Sequence, residues 1–163
     1  MDRYRKSAVE AFEKAETLVR AWLEEECITR VDVYLNGLGD VGDTRCRLKT
    51  DGKRKSVHID RNAGSAINKL RVMQALPGRG AWFYSHLWME MPEGVLHQES
   101  DWMCEPDLGD GEGEPDADRC AEELEMHPRE PGLTPPLVEN LSRAVTSRAR
   151  LKSSYVMRSL RSE

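Results

Sequence analysis

Val9, Phe12, Ala15, Val19, Trp22 and Leu23 recur close to a 3.6-residue period, with Glu, Lys and Arg between them. That spacing gathers the apolar side chains on one stripe and predicts an amphipathic helix over residues 7–26. The period then shortens. Ile28, Val31, Val33 and Leu35 are separated by Thr, Arg and Asp, which predicts a strand over residues 27–35, and Asn36-Gly37-Leu38-Gly39-Asp40 follows as turn material. Residues 44–50 and 55–60 read as two short strands joined by Asp51-Gly52, a dipeptide suited to a tight hairpin turn. After Asp60 the helical spacing returns in Ala66, Ile67, Leu70, Met73 and Leu76, and stops at Pro77-Gly78.

The chain is organised around residues 77–107, which hold three of the four tryptophans. Residues 81–91 are rich in aromatics and read as a strand, Pro92-Glu93-Gly94 as a turn, and residues 95–103 as the return strand. Alternation across such a hairpin places Phe83, Leu87, Met89, Leu96 and Trp102 on a core face. Trp82, Tyr84, His86 and Trp88 then share the other face with His97, Glu99 and Asp101. Large aromatics mixed with His and carboxylates have the composition of a recognition surface. A slip of one residue in register would carry Glu99 and Asp101 across.

Residues 107–114 are Gly and acid with almost nothing apolar, and read as a mobile loop. Pro115 and Asp116 open a short helix with Ala117, Cys120, Ala121 and Leu124 on one side, closed by His127-Pro128. Residues 129–136 are a proline-rich connection, and residues 136–160 carry an irregular helical pattern. The expected order is helix, three strands, helix, two strands, two helices. This is a single α+β domain over residues 1–163, with its core within about 7–129: an antiparallel, meander-like sheet of about five strands with helices packed on one face.

Composition narrows the class further. The chain has 163 residues, 39% of them hydrophobic and 33% charged, with a net charge of -5, which suits one domain with a heavily solvated surface. No apolar run reaches the length of a membrane span and the N-terminus lacks a signal-peptide pattern, so a cytoplasmic protein is expected. Cys27, Cys46, Cys104 and Cys120 form no Cys-x-x-Cys and no Cys/His ligand pair, so reduced thiols and neither a metal nor a cofactor are expected. Charge is segregated. From Glu99 to Glu125 there are twelve acids against the single Arg119, while residues 143–161 have six basic residues and no acid. Such a tract is either a solvated face or a surface for a positively charged partner.

Gly78, Gly80, Trp82 and Phe83 opening a strand, Asp101, Trp102, Glu105 and Pro106 closing the next, and Ala121, Glu122, Leu124, His127, Pro128 and Arg129 ending an acidic helix form a recognisable run. It resembles the YezG-like immunity proteins of bacterial polymorphic toxin systems, over roughly the central third of the chain. Met103 and Cys104 stand where that pattern has further acids, Trp102 where Tyr is common, and residues 109–115 and the basic C-terminal segment lie outside it. The resemblance implies an intracellular protein that binds one cognate secreted toxin, often a nuclease, and covers its active site. An acidic inhibitor is steered to a basic nucleic-acid groove, and aromatic anchors then hold it there. The partner-binding residues expected on this reading are Trp82, Tyr84, His86, Trp88, Glu99, Asp101, Glu105, Asp107, Asp110, Glu112 and Glu114.

Two other classes compete. A small enzyme could use His86 or His97 with Glu99 or Asp101 as a base and its orienting carboxylate. No Gly-x-Ser-x-Gly, phosphate-binding Gly loop or His-Glu-x-x-His is present, and Ser85, Ser100 and Cys104 lack an evident activating partner, so no catalytic residue is expected. The basic C-terminal segment could bind nucleic acid, but the net acidity weighs against it and no direct nucleic-acid contact is expected.

Overall fold

The computed structural model describes residues 2–39, 41–50, 53–56, 58–107 and 115–146, the side chains of residues 2–5, 41 and 53–56 excepted. Of the expected acidic loop over residues 107–114, all but Asp107 lies outside the described residues, Asp110, Glu112 and Glu114 included, as does the C-terminal part of the last helical pattern. Helix α1 (Asp2–Glu25) leads into strands β1 (Arg30–Leu38), β2 (Val41–Thr50) and β3 (Lys53–Ser56). Helix α2 (Arg61–Met73) then crosses to β4 (Tyr84–Glu90), β5 (Leu96–Asp101) and α3 (Ala117–Met126), and residues 136–146 are again helical.

The chain is α+β with an antiparallel sheet in the order β3-β2-β1-β4-β5. Four longer strands make its body and the four-residue β3 lies at one edge. It is not a single meander. The chain leaves β3, passes through α2 and returns beside β1, so the aromatic hairpin β4–β5 lies against the first strand. Asn36, Gly37 and Leu38, expected as turn, belong to β1, and the turn starts at Gly39, whose φ is +61°.

One face of the sheet carries Val31, Val33, Leu35, Leu48, Leu87, Met89 and Leu96, and against it α1 packs Ala15, Val19 and Leu23 while α2 packs Ala63, Ala66, Ile67 and Leu70. These are the stripes that the spacing predicts, except that Val9, Met73 and Leu76 are exposed. Asp60 caps α2 by accepting from the Asn62 and Ala63 N–H groups. The helix ends at Met73, short of Leu76, because the chain there folds into a tight turn in which Leu76 N–H and Gly80 N–H bond across.

Helices do not all lie on that face. A second, smaller core of Leu38, Phe83, Cys120 and Val138 forms where β1 ends and α3 and residues 136–146 meet it. α3 meets the end of β1 there and reaches α2 through Glu123 and Arg71. The side of the sheet opposite α1 and α2 is left uncovered by any described helix.

The two cores are joined by a buried charged knot. The Arg71 guanidinium donates to Glu123 at 2.6 Å, to the Trp82 carbonyl at 2.9 Å and to the Gly37 and Gly39 carbonyls at 3.3 Å. Glu123 also accepts the Gly39 N–H at 2.8 Å and lies 3.8 Å from Arg129. Arg129 in turn donates to the carbonyls of Ala81, Trp102 and Leu133 and lies over the Phe83 ring.

Gly80, Trp82, Phe83, Trp102 and Arg129 of the run between Gly78 and Arg129 meet in or against this knot. Gly78 and Gly80 have φ of +74° and +75°, and a Cβ on either would meet Glu130 or Arg129 at 2.7 Å. Gly80→Ala should therefore cost about 1–2 kcal/mol from the left-handed backbone alone, read as a lowered midpoint in urea. His127 closes α3, and its burial, with Arg71 and Arg129 nearby, holds its pKa below the ordinary imidazole value against the pull of Glu123. The folded state resists a proton that the unfolded chain takes up below about pH 6.5. Stability should fall as the pH drops from there toward the lowered folded value, and His127→Leu should flatten that part of the pH–stability curve.

Candidate functional site

The uncovered face of the sheet carries the residues of opposite phase. Asp32 and Tyr34 come from β1, Arg45, Arg47 and Lys49 from β2, Tyr84, His86 and Trp88 from β4, and His97, Glu99 and Asp101 from β5. Register decides who meets whom. Tyr34 pairs with His86 across β1 and β4, and Trp88 pairs with His97 across β4 and β5. His86 and Trp88, two apart on β4, close the gap between the pairs.

The result is a ridge of four rings. Tyr34 and His86 are stacked with centroids 4.5 Å apart, His86 and Trp88 lie at 4.9 Å with a tilt of 31°, and Trp88 and His97 are stacked at 5.1 Å. The Arg47 guanidinium lies over the Tyr34 ring, 5.5 Å from its centroid. Each contact is within the range in which aromatic and cation–π pairs attract.

Charge holds the ridge in place. Arg30 forks onto Asp32 with two bonds of 2.9 Å, and His86 Nε2 is 3.0 Å from the same carboxylate. The Arg30 hydrogen bonds lead in pulling the Asp32 pKa below the usual carboxylate value, with His86 adding to the effect against partial burial. An ionised carboxylate can only accept, so His86 Nε2 carries the hydrogen. Arg30 also reaches Glu90 at 3.3 Å.

Tyr84, His86, Trp88, Glu99 and Asp101 thus share one face, as alternation predicts. Asp101 spends one carboxylate oxygen on the Met103 and Cys104 N–H groups, and so shapes the turn after β5 as well as the surface. Glu105 and Asp107 are exposed beside it and line a groove with Tyr84, facing Arg45 and Arg47.

Trp82 is a correction. It is 1% exposed and sits in the helix-side core, its indole N–H donating to Gln74 Oε1 at 2.9 Å. The strand starts only at Tyr84. The carbonyls of Ala81, Trp82 and Phe83 are held by Arg129, Arg71 and the Gly37 N–H, so alternation does not extend back through them. Phe83 therefore enters the second core instead of sharing the face of Leu87, and Trp102 is half-buried against the main core with Arg79 over its ring.

Asp32, Tyr34, Arg45, Arg47 and Lys49 were not among the expected site residues. Their signal was present in the polar phase of the β1 and β2 alternation. Without the β1–β4 pairing nothing connected that phase to the aromatic hairpin.

All four cysteines are free thiols. Burial pushes Cys46, Cys104 and Cys120 up to about 11, so they stay protonated near neutral pH. Among the described residues no three His, Cys, Asp or Glu gather in a way that could hold a metal ion, and no helix is long and apolar enough to cross a membrane. No protein-family model matches this chain, and no curated protein matches it.

Proposed function

We propose that the uncovered sheet face binds another protein, and that the chain acts in the cytoplasm as a stoichiometric inhibitor of a cognate toxin, a basic nuclease whose active site it covers. The self-stacked ridge Tyr34–His86–Trp88–His97 carries this reading. Rigid aromatics on an open face, fixed before binding, lose little entropy on association and serve as anchors. The exposed Glu99, Glu105 and Asp107 beside them favour approach of a positively charged surface.

The same face argues against nucleic acid bound on the sheet and against catalysis there, while the basic C-terminal segment lies largely outside the described residues. Single-stranded nucleic acid binds such sheets by laying bases on exposed ring faces. Here the ring faces are largely occupied by one another and by Arg47, leaving mainly edges to a partner. For catalysis, Ser85 lies on the opposite face of β4 from His86, fully buried and bonded to Ser100 at 2.8 Å, and the Cys104 thiol is held protonated.

The test is co-expression with the product of the neighbouring gene, scored by growth and by co-purification. Wild type should protect the cells and form a complex. Trp88→Ala should weaken the complex by about 2 kcal/mol, roughly 30-fold in Kd, at near-normal thermal stability. Turnover of a substrate by the purified protein that vanishes in His86→Ala would turn the reading toward the enzyme.

A further inference from the structure

A groove of about 360 Å3 opens between β1 and β2 at the Tyr34 end of the ridge, and its charges do not balance. Arg47 stands opposite Asp32 in the β1–β2 register, where a cross-strand ion pair would be expected. Asp32 is already committed to Arg30 and His86. Lys49 stands opposite Arg30, a like-charge pairing that costs stability. Among the described residues neither Arg47 nor Lys49 has a carboxylate partner, and both are exposed. Local rules broken without internal compensation mark functional positions.

We propose that this groove is a second anchor point which receives one carboxylate of the protein partner, a Glu or Asp side chain or a chain terminus, between Arg47 and Lys49 and against the Tyr34 and His86 rings. The stoichiometry favours a monoanion. Among the described residues of the lining, three cations, Arg30, Arg47 and Lys49, face two carboxylates, Asp32 and Glu90, leaving one positive charge in excess, which a phosphate dianion would over-neutralise. The planar guanidinium of Arg47 matches a carboxylate as a fork. The face is then bipolar, with acids beyond β5 and this groove on β2, so a partner with a cationic patch on one side and a carboxylate on the other docks in one orientation. The assignment goes beyond the inhibitor reading and holds for any protein partner.

The experiment is an NMR titration of the whole chain with N-acetylglutamate amide, its uncharged glutamine counterpart and inorganic phosphate as separate probes. The glutamate probe should give saturable shifts at Arg47 Nε–H and the Tyr34 and His86 rings, with a Kd of roughly millimolar order. Arg47→Gln should weaken it roughly tenfold, and Arg47→Lys, which keeps the charge and loses the fork, by less. Equal shifts with the glutamine probe, tighter binding of phosphate, or glutamate shifts that survive Arg47→Gln combined with Lys49→Gln would each overturn the assignment. Because the probes are small molecules, the result stands apart from whether the partner is a toxin.

Discussion

Glu123→Ala should destabilise the protein by about 3–5 kcal/mol, the range found when one member of a buried ion pair is removed. Glu123 is fully buried and is the carboxylate that Arg71 meets at 2.6 Å and Arg129 approaches at 3.8 Å. Without it two guanidinium groups stay in the interior with only carbonyls around them, and the Gly39 N–H loses its acceptor. Burial already works against the Arg129 charge, with Glu123 as the compensating influence. Glu123→Gln keeps an oxygen for Gly39 and should cost less. Urea denaturation of both variants measures the difference. A Glu123→Ala protein within about 1 kcal/mol of wild type would mean that the knot does not join the two cores as described.

Trp82→Ala should cost a similar amount, about 3–5 kcal/mol, as expected for deleting a large buried aromatic. The ring fills the space between α2 and the sheet, and its N–H enters a polar chain in which Gln74, Gln98, Ser85 and Ser100 bond to one another at 2.7–3.0 Å. Removing the indole opens a cavity and leaves Gln74 short of a donor. Trp88→Ala gives the contrast. Its ring rests on His86 and His97 at the surface, and its loss should leave the melting temperature nearly unchanged while weakening partner binding. Thermal melts of the two variants side by side decide the assignment, and it fails if Trp88→Ala unfolds the chain while Trp82→Ala melts normally.

Much of the site was readable before any fold was known. Tyr84, His86 and Trp88 belong to one phase of a strand, Glu99 and Asp101 to one phase of the next, and the hairpin loop preserves the phase between them. Local geometry alone determines such relations, because a period of two needs no knowledge of the rest of the molecule. Trp82 was misplaced for the same reason. Periodicity extends a strand as far as its residue types allow, and only the long-range hydrogen bonds from Arg71, Arg129 and Gly37 to carbonyls 81–83 show where this one begins.

By itself, then, the sequence determined the α+β class, the helix stripes that make the main core and the two-faced hairpin. These follow from spacing and from side chains within a few residues of one another. The tertiary structure alone decided that β4 lies against β1, which completes the ridge with Tyr34 and brings Asp32, Arg47 and Lys49 to it. It also decided that Glu123, legible only as one acid in an acidic helix, is the buried partner of Arg71, 52 residues away. Pairings of that range depend on how non-adjacent elements pack, and no local period records them.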